Sequence, residues 1–470
     1  MRESLEPFTL HVPDAAIGDL RERLARTRFP DQAPGEAWGY GTDVAYLRGL
    51  VEYWRDTFDW RAEEARLNAF VQRKVALDGI GLHYLHVLGV GPDPLPPLLM
   101  HGWPGSVFEF LEIIPQLADP GRFGGDPADA FTVVAPSLPG FGLSFAPGQR
   151  RFSVQEMADC LAELMTGVLG YRHFAAQGGD WGSFVASRLG HAHAASMVGI
   201  HLNLLPLRRD PAMVADPTPE ERRYLDELAT FLNEETGYQW IQGTRPQTLA
   251  FGLTDSPAGL AAWIVEKLRI WSDCGGDVET VFSKDRMLAN IALYWFTGAI
   301  GSSFWPYYAR MHGPWPIPEE ATVDVPMGYA EFPREILRPP RSLAARTFTD
   351  IRRWSVMPRG GHFAAMEQPE ALAAEVRALQ RIGLVTLERA AATVAEPVKL
   401  TLYLGRGEPY REICARLREY GLDGATVLLG VDGTMQGERR RASFLGNNHG
   451  VPVMLIAVGT GEAAARALEA

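Results

Sequence analysis

At residues 178–182 the chain reads Gly-Gly-Asp-Trp-Gly, a small–x–nucleophile–x–small pattern between a strand-like run, 171–177, and a helical stretch, 183–189. Glycines at those flanks allow a tight, strained turn and close approach of neighbouring backbone. Such a turn exposes its central side chain at the end of a strand. Here that side chain is Asp180, where Ser or Cys would serve acyl transfer. A carboxylate is a poor choice for attacking an amide, but it can displace a leaving group at a saturated carbon and form an alkyl ester.

The surroundings repeat strand and helix. Short apolar runs at 98–102 and 131–135 are bounded by Gly and Pro, as strands buried on both faces are. Residues 107–117 and 153–169 read as helices, the second capped by Ser153 with Glu156 three residues on. Another strand-like run ends at 200–203. The alternation predicts a parallel sheet, and with the turn at Asp180 an α/β-hydrolase core. Earlier in the chain, 13–25 reads as an amphipathic helix with Asp14 as its cap. Trp54, Phe58 and Trp60 occupy a second helical stretch, and 77–89 looks like a hairpin around Asp78-Gly79. Residues 206 to about 320 interrupt the alternation with helical, aromatic-rich sequence that includes Tyr238, Trp240, Trp263, Trp271, Trp295, Trp305 and Tyr307. Sheet character returns at 323–329 and 354–358. An insertion at this place is expected to form a lid over the site.

Bulk properties narrow the function classes. At 470 residues, 46% hydrophobic and 22% charged, the chain can bury a large core and holds more than one domain. A net charge of -12 argues against nucleic acid as a partner. Cys160, Cys274 and Cys414 are far apart and odd in number, so neither a disulfide framework nor a zinc spacing follows, and a reducing compartment fits. The first seven residues lack an apolar signal core, and no run approaches the roughly 18 apolar residues of a membrane span. A cytoplasmic protein with no membrane partner is expected. Residues 386–397 read as a linker, with a separate unit from Val398.

Three further elements join Asp180. His101-Gly-Trp-Pro-Gly105 directly follows an apolar strand; in this fold the loop there and the residue after the nucleophile each supply a backbone N–H to an oxyanion. Those donors are Trp103 and Trp181. Gly360-Gly-His362 follows the last expected strand, which matches the order nucleophile, acid, histidine, and gives His362 the task of taking a proton from water. An acid must orient that imidazole. Glu335, 27 residues earlier (362 − 335), and Asp324 are the candidates, with Asp350 weaker; spacing alone does not choose.

Taken together, His101-Gly-Trp-Pro-Gly105, Gly178-Gly-Asp-Trp-Gly182, Phe332-Pro-Arg-Glu335 and Arg359-Gly-Gly-His-Phe-Ala-Ala365 resemble the microsomal-type epoxide hydrolases and their bacterial relatives. The resemblance runs over about 4–385 and extends into the lid through 237–247 and 255–260. It implies Asp180 as nucleophile, His362 as base, Glu335 as acid partner, and Tyr238 and Tyr307 (beside Tyr308) as lid tyrosines that activate the ring oxygen. It implies hydrolysis of a small apolar epoxide by water to a vicinal diol, with no cofactor and no metal. It also sets the expected parts: 1–90 a wrapping segment, 91–205 and 321–385 the two parts of the core, and 206–320 the lid. The membrane-anchoring helix of the animal enzymes has no counterpart at the front.

Beyond the linker, 398–404, 424–431 and 451–458 read as strands, with helices at 409–420 and 461–470, an order that fits a ferredoxin-like unit without its last strand. Residues 399–405 and 421–430 resemble an uncharacterised PII-like family, which implies a homo-oligomer and a small-molecule effector at 398–470. Arg439-Arg-Arg441 is placed in a long loop, where it could meet an anion or simply be solvated. Two other functions compete. A haloalkane dehalogenase would also use an Asp with a following Trp, and a sensor would bind ligand in the hydrolase pocket and signal through the PII-like unit.

Overall fold

The computed structural model describes residues 6–209 and 214–381, and in the C-terminal part the strands Val398–Leu404, Leu422–Leu429, Asp432–Met435, Glu438–Arg441 and Val453–Gly459. The chain divides into two compact units, Met1–Pro120 with Pro127–Ala378, and Gly121–Asp126 with Leu379–Ala470.

The first unit is built on a nine-stranded sheet. Its strands are β1 (Glu6–Phe8), β2 (Gln72–Leu77), β3 (Ile80–Val87), β4 (Pro97–Met100), β5 (Val133–Pro136), β6 (Phe174–Gly178), β7 (Met197–Leu202), β8 (Met327–Glu331) and β9 (Ile351–Val356). The spatial order is β1-β2-β3-β5-β4-β6-β7-β8-β9, antiparallel through the β3–β5 pair and parallel from β5 to β9. The two-residue turn between β2 and β3 puts Asp78 and Gly79 both at positive φ, which the right-handed strand twist favours in a hairpin. Every residue of β4, β5 and β6 is buried, as helices on both faces require.

The helices are α1 (Asp14–Ala25), α2 (Val44–Asp56), α3 (Trp60–Asn68), α4 (Ile113–Ala118), α5 (Val154–Glu163), α6 (Asp180–Ala192), α7 (Pro219–Glu234), α8 (Gly237–Thr244), α9 (Pro246–Asp255), α10 (Pro257–Ile270), α11 (Lys284–Thr297), α12 (Ile300–Ser303), α13 (Trp305–His312), α14 (Arg341–Ala344), α15 (Ala364–Glu367) and α16 (Pro369–Arg381). Helices α7 to α13 fill the insertion between β7 and β8. Helix α5 starts in a capping box, with Ser153 and Glu156 each bonding the other's backbone.

Several local expectations are corrected. Asp14 is the first residue of α1, not its cap; Pro13 holds the cap position, and the Asp14 carboxylate pairs with Arg61. Residues 107–117 are not one helix but a 3₁₀ turn, Val107–Phe110, followed by α4, because Pro115 brings no N–H to an unbroken helix. The 153–169 helix gives way to a π turn at Leu164–Val168. Trp54 and Trp60 belong to two helices, with Phe58 in the connection. Asp324 precedes β8, where Val323 makes only a single bridge to Phe348.

In the C-terminal part β10 (Val398–Leu404), β11 (Leu422–Leu429) and β14 (Val453–Gly459) form an antiparallel sheet with β14 in the centre. That order suits the expected ferredoxin-like arrangement. Arg439, Arg440 and Arg441 lie in a strand, β13 (Glu438–Arg441), paired with β12 (Asp432–Met435), rather than in a loop. A run of charged residues carries no apolar alternation to mark it as a strand. The expected linker, the helices at 409–420 and 461–470, and Cys414 lie outside the described residues. Among the described residues no helix is long and apolar enough to cross a membrane.

Candidate active site

The carboxyl ends of the parallel strands assemble the site, as in other open α/β sheets. Asp180 follows β6, Trp103 lies just after β4, Glu335 follows β8 and His362 follows β9. Asp180 adopts φ 45°, a left-handed conformation that costs a non-glycine residue about 1–3 kcal/mol. Close packing holds it there: a Cβ on Gly182 would stand 2.1 Å from the Met100 carbonyl oxygen, and one on Gly102 would stand 2.2 Å from Asp180 Oδ1. Only glycines let the turn and the loop after β4 approach this closely.

Asp180 Oδ1 accepts the Trp103 backbone N–H at 2.7 Å, and Oδ2 lies 3.5 Å from His362 Nε2. The 103–105 loop is anchored by α11, whose Asn290 and Tyr294 donate to the Pro104 and Gly105 carbonyls at 2.7 and 2.8 Å. Trp181, at the start of α6, has a backbone N–H without an intrahelical acceptor. His101 Nε2 accepts the Leu138 N–H at 3.2 Å, which leaves Nδ1 to donate to the Gly102 carbonyl at 3.0 Å. Burial holds this imidazole neutral, with its pKa down to about 4, so its role is to brace the loop.

On the other side of Asp180, His362 Nδ1 is 2.5 Å from Glu335 Oε1. Asp324 instead accepts from the Thr349 hydroxyl at 2.7 Å, and Asp350 from Arg352, both at exposed positions. Burial disfavours the His362 imidazolium, yet Glu335 and Asp180 outweigh it and raise the pKa well above that of free histidine. Lid and core jointly hold the His362 loop. The His362 N–H donates to the Trp271 carbonyl at 2.8 Å, Asp273 accepts the Gly360 N–H at 3.0 Å, and Glu367 accepts the Asp273 and Phe363 N–H groups at 2.9 and 3.0 Å.

The lid brings its tyrosines to the same centre. Tyr238 in α8 stacks on the Trp103 ring, 5.4 Å between centroids and 13° from parallel, and Tyr307 in α13 packs edge-on to Trp103 and Trp181 at 5.9 and 4.7 Å. The two phenol rings are 5.7 Å apart. Burial, reinforced by the charge of Asp180, pushes both phenols up, so each carries its proton. The Tyr307 hydroxyl lies near the Trp181 indole without completing a hydrogen bond. Tyr308 faces the other way, stacked against Trp305 and His312.

A cavity adjoins Asp180 and His362 and is also lined by His101, Gln177, Asn203 and Glu109. Glu109 was not singled out by the sequence reading. Burial, with Asp180 adding to it, raises its pKa to about 8, against opposing contributions from His362 and the Ser106 backbone. The motif spacing could have pointed to it, since it lies four residues beyond Gly105. Gln239 and Arg310, which bear on Tyr238, carried no sequence signal. Among the described residues no cluster of His, Cys, Asp and Glu could hold a metal ion.

A strained carboxylate turn at the carboxyl end of a parallel sheet, under a helical insertion, defines an α/β-hydrolase. A model of the alpha/beta hydrolase fold matches residues 96–227, one of the epoxide hydrolase N terminus matches 5–110, and one of an uncharacterised family matches 399–470, the segment read as PII-like. A Stigmatella aurantiaca protein provisionally named an epoxide hydrolase is 45% identical over 79% of this chain and 84% of its own length. Epoxide hydrolase 1 of Oryctolagus cuniculus is 36% identical, covering 82% and 90%. The crystal structure of juvenile hormone epoxide hydrolase from Bombyx mori superposes with a TM-score of 0.73 at 29% identity, over 81% of this chain and 94% of that one. The chain belongs to the epoxide hydrolase family.

Proposed function

We propose that this epoxide hydrolase converts a small apolar epoxide and water into a vicinal diol through an ester on Asp180. The observation that carries the reading is the carboxylate of Asp180, set between the Trp103 N–H and His362 Nε2.

In the first step Asp180 Oδ2 attacks an epoxide carbon. The carbon–oxygen bond breaks, and the oxygen takes a proton from the lid phenols of Tyr238 and Tyr307, which stabilise the developing alkoxide. Oδ1, held by Trp103, becomes the ester carbonyl oxygen. In the second step His362 Nε2 takes a proton from water in the adjoining cavity, and the hydroxide adds to the ester carbonyl carbon. The tetrahedral oxyanion is met by the N–H groups of Trp103 and Trp181. Collapse breaks the ester carbon–oxygen bond; the departing diol oxygen takes the proton held by His362, and the carboxylic acid left on Asp180 gives its proton back to the phenolate of the first step, which restores the carboxylate and both tyrosines. Glu335 balances the imidazolium.

The charge state of His362 changes between the steps. While Asp180 is ionised, it and Glu335 favour the imidazolium. Once Asp180 is an ester its charge is gone, and the neutral imidazole that the second step needs becomes easier to form.

A single turnover in oxygen-18 water tests this. The ester route leaves the label in the Asp180 carboxylate of the corresponding peptide; a label found only in the diol overturns it. Two buried phenols beside the carboxylate favour an epoxide over a halide leaving group, which requires donors for the departing anion rather than proton delivery to an alkoxide.

A further inference from the structure

Tyr238 is followed in α8 by Gln239, a buried side chain whose amide faces two partners. Its Nε2 lies 2.9 Å from the Tyr238 hydroxyl oxygen, and its Oε1 lies 3.2 Å from Arg310 Nη2, on α13. The ambiguity of an amide's two ends is removed by chemistry. A guanidinium only donates, so the amide oxygen must face Arg310, and the NH₂ end, which also only donates, must face the phenol. The Tyr238 oxygen is thereby an acceptor, and its own proton must point elsewhere. Arg310 is held in place by packing, its guanidinium 5.9 Å from the Trp181 ring and 5.8 Å from the Trp315 ring. A cation at the carbonyl end of an amide also polarises its N–H and strengthens the bond that it donates.

We propose that Gln239 and Arg310 form a positioning pair that commits the Tyr238 hydroxyl to donating its proton to the epoxide oxygen. The inference rests on the role given to Tyr238 above. Neither residue touches the reacting atoms; both act through the phenol. Other charges near Tyr238 are Asp180, Arg209 and Lys267. The Lys267 ammonium lies 4.8 Å from the ring centroid and pairs with Glu266 at 2.7 Å. These bear on the charge of the phenol but leave the direction of its proton to the hydrogen bond from Gln239.

The test is single-turnover kinetics with styrene oxide, which separates ester formation from ester hydrolysis. Gln239→Glu replaces the donor with a carboxylate that still pairs with Arg310 but accepts the phenol's proton. It should slow ester formation by roughly tenfold or more, within what a positioned proton donor contributes. Ester hydrolysis should be unchanged. Gln239→Leu, which frees the phenol without capturing its proton, should lose less. In a Tyr238→Phe background Gln239→Glu should change ester formation by less than about twofold, since coupled groups do not add. Should Gln239→Glu fold poorly, Arg310→Met and Arg310→Lys carry the test; Met should slow ester formation, and Lys, which keeps a donor, should retain most of it. Wild-type ester formation in Gln239→Glu alongside a slow Tyr238→Phe overturns the pairing, as does an equal loss in the Tyr238→Phe background. Full activity of Tyr238→Phe takes down the role of Tyr238 itself, and the pairing with it.

Discussion

Oε1 of Glu335 lies 2.5 Å from His362 Nδ1 and also accepts the Ile336 N–H at 2.7 Å, while its Oε2 has no hydrogen-bond partner among the described residues. One oxygen therefore orients the ring, and the carboxylate supplies the opposite charge to a buried imidazolium. Removing one member of such a pair leaves the other uncompensated. Glu335→Gln keeps the shape and loses the charge. It should slow ester hydrolysis by about 10²-fold and leave ester formation nearly intact, so the covalent adduct accumulates. Intact-protein mass spectrometry after brief exposure to an epoxide reads this directly; loss of ester formation without accumulation would place Glu335 outside the second step.

Tyr307, proposed above as a proton donor, also carries a local penalty. Its hydroxyl is buried and, among the described residues, completes no hydrogen bond; leaving such a group unsatisfied costs about 1–3 kcal/mol. Tyr307→Phe removes the penalty together with the proposed proton donor. The variant should be as stable as the parent or up to about 1 kcal/mol more stable, yet slower in ester formation. Urea midpoints and single-turnover rates check the two halves separately. A destabilised variant would mean that the hydroxyl has a partner, and an unslowed one that it takes no part in opening the ring.

Much of this arrangement was legible in the sequence because it is punctuated by residues with few alternatives. Glycines at 178, 179 and 182 mark the turn at Asp180, and the Gly-Pro loop after β4 marks Trp103. The strands beneath them are short apolar runs because both of their faces are covered. Which carboxylate faces His362 was not separable by spacing, since Glu335 and Asp324 both precede β9; the loop after β8 brings Glu335 to His362, whereas Asp324 turns to Thr349. Tyr307 and Tyr308 were adjacent candidates, and only the facing of α13 distinguishes the buried ring from the one on Trp305. Gln239 and Arg310 carry no local signal, because their meaning comes from which lid helix meets which; Glu109 lies four residues beyond Gly105, a spacing that hints at the site without showing the burial of the carboxyl.

Glu109 gives the protein a pH signature. Its folded-state pKa is raised from 4.5 to about 8, chiefly by burial. Across that interval the folded chain holds a proton that the unfolded chain has already released. Stability contributed by this group therefore falls as pH rises from 4.5 to about 8. Glu109→Gln has no such proton to lose, so its urea midpoint should vary less between the two ends of that interval than the parent's. Equal slopes in the two proteins would show that the Glu109 carboxyl is ionised in the folded state.

Two glycine-to-alanine changes separate close approach from helix propensity. At Gly182 the added methyl carbon would meet the Met100 carbonyl oxygen at 2.1 Å, its carbon at 2.6 Å and the His101 carbonyl oxygen at 2.9 Å. All three atoms are backbone, so no side chain can swing aside; β4 and the loop carrying Trp103 must move. Gly182→Ala should be destabilised by about 1–3 kcal/mol, as overpacked cores are. Its ester formation should fall by about 10²-fold, the penalty for an ångström of misplacement. At Gly252, exposed within α9, an added methyl meets nothing within 4 Å. Gly252→Ala should leave turnover unchanged and stabilise the protein by about 0.5–1 kcal/mol through the higher helix propensity of alanine. Thermal melts and turnover of the two variants side by side decide the matter: a Gly182→Ala protein as stable and active as the Gly252→Ala protein would mean that β4 and the turn at Asp180 have room to separate, and that the carboxylate is not held by their contact.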